Sequence, residues 1–205
     1  MAHDHDHEHD HHHEHEGEIE GEVIVDEELD AEAQARRRLA LAQIRQYPDP
    51  VLRMKAREVT DFGDDLQRLV VRMRMLMKDA HGVGLAATQI GILQRVFVFQ
   101  RGEDDVVAVV NPVISDRSDE TETDDEGCLS LQGVLAPVER NLSLTLSGKD
   151  PEGNDLRLEL EGHPARVAQH EVDHLDGTLL IDRTDDESRK AALAILRPRP
   201  ILAAV

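Results

Sequence analysis

Aromatic residues and cysteine are scarce in this chain of 205 residues, which has one Tyr, three Phe, no Trp and a single Cys. A hydrophobic core must therefore be built from Leu, Val, Ile, Ala and Met. One cysteine excludes an intramolecular disulfide, which suits a reducing cytosol. No apolar stretch approaches the ~20 residues that a membrane-spanning helix needs, and the N-terminus lacks the basic-then-apolar pattern of a secretory signal. These absences predict a cytoplasmic protein that does not enter membranes.

Basic residues are absent from the first part of the chain. Residues 1–32 contain 14 Asp or Glu, 8 of the 12 His and no Lys or Arg, which leaves 29 acidic and 23 basic residues in the rest. The formal net charge of −20 argues against binding of nucleic acid through its phosphates. Residues 1–25 have little to bury and are predicted to form a disordered His/Asp/Glu-rich tail. Such a tail is either a solvated appendage or expression remnant, a loose buffer of divalent metals, or a pH-dependent contact.

The rest of the chain is typical of a helix followed by one α+β domain. Residues 26–46 are rich in helix formers with acids first, and two prolines follow, so they predict an N-terminal helix. Residues 47–196 form the predicted domain, and residues 197–205 a C-terminal tail. Apolar periodicity within the domain predicts helices over 64–80, 164–176 and 185–196, strands over 95–100 and 106–110, and an antiparallel hairpin over 142–147 and 156–160.

The strongest chemical signal is the run His170-Glu171-Val172-Asp173-His174. On a helix, His170 and His174 lie one turn apart on the same face and can bind a single metal ion. Glu171 can then act as general base toward a metal-bound water. Because the pattern is short, a solvated helical face is the alternative interpretation.

A catalytic metal needs a third protein ligand and one position left for water. Outside the tail the candidates are His81, His163 and Cys128, because Asp173 lies on the wrong side of its helix. Cys128 is favoured, since a thiolate is a strong ligand for Fe(II) or Zn(II) and the preceding Gly127 allows close backbone approach. The alternative is that this lone cysteine is a small buried hydrophobic residue.

A third motif, Gly82-Val-Gly-Leu-Ala-Ala-Thr-Gln89, consists mainly of small residues. It lacks the Lys-Ser/Thr of a P-loop and the third Gly of a dinucleotide fingerprint, which disfavours a phosphate site. Small residues let a substrate backbone lie against the chain, and Gln89 offers an uncharged amide donor. The alternative is a tight connection between a helix and a strand.

Three motifs of this chain resemble, in the right order, the signature motifs of the bacterial peptide deformylases: Gly82-Val-Gly-Leu-Ala-Ala-Thr-Gln89, Glu126-Gly-Cys-Leu-Ser130 and Gln169-His-Glu-Val-Asp-His-Leu-Asp-Gly177. Tyr47-Pro-Asp-Pro-Val-Leu52 also resembles the family's opening, and the similarity covers about residues 44–190. The resemblance implies an α+β fold with antiparallel sheets around a central metal-binding helix. It also implies hydrolytic removal of the N-formyl group from the N-terminal formylmethionine of newly synthesised polypeptides.

The resemblance further implies one Fe(II) ion per chain, with Zn(II), Ni(II) or Co(II) as substitutes, held by Cys128, His170 and His174. It implies that the substrate backbone lies along Val83, Gly84 and Gly127. In the mechanism we expect, Glu171 is the general acid and base, and the oxyanion receives hydrogen bonds from the side chain of Gln89 and the N–H of Leu129. Three further residues are predicted to support the ligands: Glu126, Gln169 and Arg140, the last by pairing with Glu126.

The expected partners are nascent formylated polypeptides, with the ribosome as the expected place of encounter, and the expected state is a monomer. His81, Gln132 and Leu135 depart from the family's usual residues near the pocket rim, which leaves the peptide preference open. Two other functions are considered: a zinc peptidase built on the same His-Glu-x-x-His logic, and a non-catalytic metal-buffering protein suggested by the tail. The peptidase would need a third His or Glu ligand, whereas this chain offers a Cys motif.

Overall fold

Four helices and seven strands form the fold of residues 30–103 and 105–197, described here from a computed structural model. The elements in chain order are α1 (Ala31–Leu41), α2 (Asp64–Asp79), β1 (Gly84–Ala86), β2 (Val96–Gly102), β3 (Asp105–Ser115), β4 (Thr121–Gly127), β5 (Leu135–Asn141), β6 (Ser143–Lys149), β7 (Asp155–Glu161), α3 (His163–Leu175) and α4 (Asp186–Leu196). The predicted α+β class is confirmed. The predicted tail 1–25, residues 26–29 and residues 198–205 lie outside the described residues.

All strand pairs are antiparallel, and they form two sheets. The larger sheet has five strands in the order β1-β2-β3-β6-β7, and the smaller pairs β4 with β5. Helix α3 contacts β1, β2, β6 and β7 of the larger sheet and β5 of the smaller one. The predicted arrangement of antiparallel sheets around a central helix is therefore confirmed. None of the described helices is both long and apolar enough to cross a membrane.

Helix α2 buries the apolar face that its periodicity predicts. The six residues of this face are all buried in one core cluster with β1 and β2: Leu66, Leu69, Val70, Met73, Leu76 and Met77. The methionines here fill the core, which compensates for the shortage of aromatic side chains. At its C-terminal end the helix passes directly into the glycine motif, because the carbonyl of Met77 accepts a hydrogen bond from the N–H of Gly82 at 2.9 Å.

Helix α3 packs against both sheets, and this packing fixes the position of the residues of the metal-binding pattern. Pro164 stands in its first turn, where a missing N–H costs nothing. The helix ends before Gly177, whose φ of +74° is a left-handed conformation. A side chain at this glycine would also come within 2.5 Å of the carbonyl oxygen of Arg53. The predicted helix over 164–176 is thus confirmed, as is the hairpin of β6 and β7.

Three strands were not predicted, β3 continues to Ser115 instead of ending at residue 110, and one helix ends earlier than predicted. Strands β1, β4 and β5 were not predicted, and β4 explains why: it reads Thr-Glu-Thr-Asp-Asp-Glu-Gly and exposes all but Glu126, so no apolar alternation marks it. Helix α1 stops at Leu41 instead of reaching residue 46. Beyond it the backbone makes tertiary hydrogen bonds, from the N–H of Arg45 to the carbonyl of Gln89 at 2.7 Å and from the N–H of Tyr47 to the carbonyl of Ser130 at 2.9 Å.

Candidate active site

Three donor atoms converge where β4 ends against α3. The Sγ of Cys128 lies 3.2 Å from Nε2 of His174, which lies 3.2 Å from Nε2 of His170. The three ligand atoms are all within 4.8 Å of one another. Bonds of ~2.0–2.3 Å to one tetrahedral ion place neighbouring donors roughly 3.3–3.6 Å apart, so the cluster has the dimensions of a single metal shell. The structure brings the three predicted ligands together and leaves His81 and His163 outside the group.

The electrostatic environment of the cluster suits a cation. Burial by itself lowers the pKa of His170, but Cys128 and Glu126 raise it well above its usual value, so the surroundings stabilise positive charge at this ring. Burial holds the pKa of His174 well below its usual value, which keeps its imidazole neutral, as metal ligation requires. One thiolate and two imidazoles form a borderline-soft donor set of the kind that binds Fe(II) or Zn(II). The donors therefore fit one divalent ion.

Glu126 fixes the orientation of His170 from behind. Nδ1 of His170 donates to the carboxylate of Glu126 at 2.9 Å, and Nε2 of the same ring therefore faces the donor cluster. Arg140 donates to both oxygens of the same carboxylate at 2.9 and 3.0 Å, and Arg166 donates at 3.0 Å. Burial alone raises the pKa of Glu126, but the hydrogen bonds from His170 and Arg140 lower it well below its usual range. The predicted pairing of Arg140 with Glu126 is present.

A second carboxylate extends this buried ion network away from the cluster. Asp173 accepts hydrogen bonds from Arg140 at 2.7 Å and from Arg183 at 2.5 and 3.0 Å, and it lies outside the donor group, as expected. Arg166 was missed, although its spacing of four residues before His170 places both on one helical face. Gln169 bonds the backbone of Asn141 and Ala165 and fastens α3 to the end of β5, without contacting a ligand.

Glu126→Gln is expected to weaken Zn(II) binding by about 10–100-fold, because His170 loses the charged partner that orients it and raises its basicity. Competition with a chromophoric chelator measures this affinity. Glu122→Gln, four residues earlier and exposed on β4, is the matched control and should bind Zn(II) as the parent does. Equal Zn(II) affinity in the Glu126 and Glu122 variants would show that the carboxylate does not support the ligand.

Glu171 lies beside the cluster, and its carboxylate makes no hydrogen bond within the described part of the chain. It is buried, and its Oε2 has no hydrogen-bond partner among the described residues. Burial raises the pKa of Glu171 to about 7. A buried carboxylate without a partner is costly, and groups of this kind are typical of sites where a proton is taken up and released.

Gly84 has no side chain, which leaves space for the carboxylate of Glu171. A Cβ at this position would overlap Oε1 of Glu171 and lie 2.9 Å from Cγ1 of Val167. Since β1 is tied to β2 by pairing of Gly84 with Phe99, the backbone cannot easily retreat. The small residue that was predicted to face substrate therefore also sets the position of the buried carboxylate.

Gly84→Ala is expected to leave the protein folded but to cut its catalytic rate by tenfold or more, because the new methyl group displaces Glu171; overpacking of this kind costs about 1–3 kcal/mol. Steady-state kinetics and thermal unfolding together measure the two effects. Gly102→Ala is the control, since the nearest atom to a Cβ there is 3.9 Å away. A Gly84→Ala protein with unchanged turnover would show that Glu171 is not held by this contact.

The two predicted oxyanion donors flank Cys128. Gln89 lies in a single helical turn after β1; its Oε1 accepts from the N–H of Ala86 at 2.8 Å, which fixes the amide orientation. Its Nε2 then points to Oγ of Ser130 at 3.1 Å and to Sγ of Cys128 at 3.7 Å. The N–H of Leu129 donates to no acceptor within the described part of the chain. Both donors are therefore next to the donor cluster.

The cluster opens into a cleft of about 870 Å³. Its lining includes every predicted site residue apart from His174, which is buried behind His170: Val83, Gly84, Gln89, Gly127, Cys128, Leu129, His170 and Glu171. His81 and Gln132 also line it, whereas Leu135 is exposed outside it. The sequence analysis considered His163 only as a metal ligand, and it did not find Val167 or the residues that α1 and α2 add to the far wall, because their role depends on how the elements pack.

A cleft that holds three metal donors beside one unpartnered carboxylate is the arrangement of a metal-dependent hydrolase. Residues 41–190 match the family model described as polypeptide deformylase. The chain is 45% identical to a peptide deformylase of Natranaerobius thermophilus, over 74% of this chain and 97% of that one. It is 43% identical to peptide deformylase 1 of Corynebacterium glutamicum, over 78% of this chain and 96% of that one.

Solved structures give the same result. The crystal structure of peptide deformylase from Thermotoga maritima has a TM-score of 0.67 and 45% identity, over 69% of this chain and 96% of that one. The Plasmodium falciparum peptide deformylase in complex with an inhibitor has a TM-score of 0.69 and 38% identity, over 75% and 96%. The chain belongs to the polypeptide deformylase family. It is a metal-dependent hydrolase that removes the N-formyl group from newly synthesised polypeptides.

Proposed function

We propose that Cys128, His170 and His174 hold one divalent ion per chain, and that Glu171 moves the proton during hydrolysis of the formyl amide. The convergence of the three donors beside the unpartnered carboxylate carries this proposal. When bound, the ion supplies a Lewis acid that makes water reactive at neutral pH. The remaining steps depend on the residues of this chain.

Glu171 acts at Oε2, the atom that has no partner among the described residues. It accepts a proton from the water whose oxygen attacks the formyl carbon. As the C–N bond breaks, the same oxygen delivers that proton to the leaving amine, so formate and a free amino terminus are the products. Gly84 packs closely against the carboxylate of Glu171. This contact holds the carboxylate in one position between the two proton transfers.

Gln89 and Leu129 stabilise the negative charge that develops on the formyl oxygen. The side-chain amide of Gln89 is fixed by Ala86 and Ser130, so little reorganisation is needed when the charge forms. The N–H of Leu129 is the second donor. Each donor of this kind is worth roughly 10²–10³ in turnover rate.

Val83, Gly84 and Gly127 bind the backbone of the substrate, and the methionine side chain enters the apolar part of the cleft. Small residues on both sides let an extended chain lie close. A formyl carbon carries only hydrogen, so a crowded centre admits it and rejects a larger acyl group. His81 and Gln132 on the rim then influence which peptides bind.

We propose Fe(II) as the resident ion, with Zn(II), Ni(II) or Co(II) as substitutes, since a thiolate with two imidazoles accepts all four. We further propose a monomer that acts in the cytoplasm, at the ribosome, where formylated chains emerge. Residues 47–196 form the catalytic domain and include all nine site residues. We therefore propose that the segment 1–25 takes no part in the reaction.

The test of this proposal is anaerobic purification with elemental analysis, followed by a formate-release assay on formyl-Met-Ala-Ser. We expect one iron per chain in the folded domain and no cleavage of the unformylated peptide. Several weakly held ions without formate release would instead support metal buffering, and cleavage of unformylated peptides would support a peptidase.

A further inference from the structure

The cleft continues past the donor cluster to a wall formed by α1 and α2. Three basic residues line this wall, together with two apolar ones: Arg37, Arg74, Lys78, Leu41 and Met77. Three exposed acidic residues line the cleft on β4 and on the segment between β2 and β3, namely Glu103, Asp124 and Asp125, and the buried Glu126 and Glu171 line it beside the donor cluster. The cleft therefore has opposite charges on different walls.

Arg74 and Lys78 contribute little to the stability of the fold beyond the favourable position of Lys78 in the last turn of α2, where a cation complements the helix dipole. They lie one turn apart on α2, both are exposed, and neither forms an ion pair with any described residue. Like charges at this spacing slightly destabilise a helix. By contrast, Arg68 on the same helix pairs with Asp65, and Arg72 donates to Gln43 at 3.3 Å. Two cations that line one cleft without a described ion-pair partner are available to bind an anionic group of a ligand.

The position of this wall indicates which part of a substrate reaches it. The formyl group must lie at Glu171, which contacts Gly84, and the segment from Gly84 back to Gly82 leads directly to the end of α2 through the Gly82–Met77 hydrogen bond. An extended peptide advances about 3.3 Å per residue. The segment from Gly84 back to Gly82 is two residues long, so a peptide that runs beside it carries about its third residue to the end of α2, the helix that holds Arg74 and Lys78.

We propose that Arg74 and Lys78 form a basic subsite that selects formylated polypeptides with acidic side chains at their third and fourth positions. This inference rests on the proposed placement of the substrate along Val83, Gly84 and Gly127. It runs against the net charge of the chain, because −20 by itself favours basic peptides through long-range attraction. A preference for acidic peptides must therefore come from charges close to the bound peptide, which are those of Arg74 and Lys78.

Two peptides test the inference: formyl-Met-Ala-Glu-Glu-Ser and formyl-Met-Ala-Lys-Lys-Ser, assayed by formate release with the full chain loaded with one metal. We expect kcat/KM to be about 3–10-fold higher for the acidic peptide, mainly through KM, as exposed charge pairs are individually weak. The difference should shrink at 0.5 M salt, where such pairs are screened. A preference for the lysine peptide, or equal rates, overturns the subsite.

Charge reversal identifies the residues responsible. The Arg74→Glu and Lys78→Glu double variant should reverse the preference while leaving the rate unchanged on the C-terminal amide of formyl-Met-Ala-Ser, which carries no charge. The Lys55→Glu and Lys190→Glu double variant, at two exposed residues outside this cleft, changes the net charge by the same amount and should retain the parent's preference. An unaltered preference in the double variant overturns the inference, whereas absence of formate release from all three peptides overturns the proposed substrate placement itself.

Discussion

Glu171→Gln is expected to lower formate release from formyl-Met-Ala-Ser by about 10²–10⁴-fold while the protein keeps its metal, because the amide has the shape of the carboxylate but cannot carry a proton between water and amine. Oε2 of Glu171 has no partner to lose, so the substitution breaks no hydrogen bond among the described residues at that atom. Elemental analysis and single-turnover kinetics on the same sample measure the two quantities.

Glu159→Gln, exposed on β7, is the matched control and should turn over at the parent rate. A Glu171→Gln protein that releases formate at that rate would refute the acid–base role. Loss of metal together with loss of rate would show instead that Glu171 supports the ligands.

Cys128→Ala should lose both its metal and its activity, because two imidazoles do not hold a catalytic ion on their own. The fall in affinity should exceed the roughly 10–100-fold that loss of an outer hydrogen-bond partner causes. Dialysis against a mild chelator followed by elemental analysis measures the ion content, and thermal unfolding checks that the half-buried position tolerates alanine.

His81→Asn is the control for this experiment. His81 lines the cleft outside the donor group, and asparagine tolerates its positive φ of 56°. The control should retain one ion per chain. If Cys128→Ala also retains one tightly held ion, the thiol is not a ligand and the third donor must be sought elsewhere.

The sequence was sufficient for the parts of the fold that rest on local periodicity. Helix α2 was predicted with its complete buried face, because apolar residues at helical spacing have to turn toward a core. The spacing of His170 and His174 placed two ligands on one face for the same geometric reason. The hairpin of β6 and β7 alternates strictly, so it was predicted as well.

Other parts of the fold depend on contacts between distant segments. Strand β4 is almost entirely polar and exists because β5 pairs with it along its whole length. Helix α1 ends early because Arg45 and Tyr47 find hydrogen-bond partners on other segments. Neither partner is marked by the residues next to it in sequence, and local pattern reasoning therefore cannot find them.

For the site, the amino-acid sequence by itself determined which residue types are available: one thiol, two imidazoles one helical turn apart, and a carboxylate between them. Only the tertiary structure decided that Cys128 meets the imidazoles, that Glu126 and Arg166 stand behind His170, and that α2 carries Arg74 and Lys78 to the cleft. The physical reason is that helical spacing is set by the backbone geometry of a few adjacent residues, whereas these distances are set by the packing of whole sheets and helices.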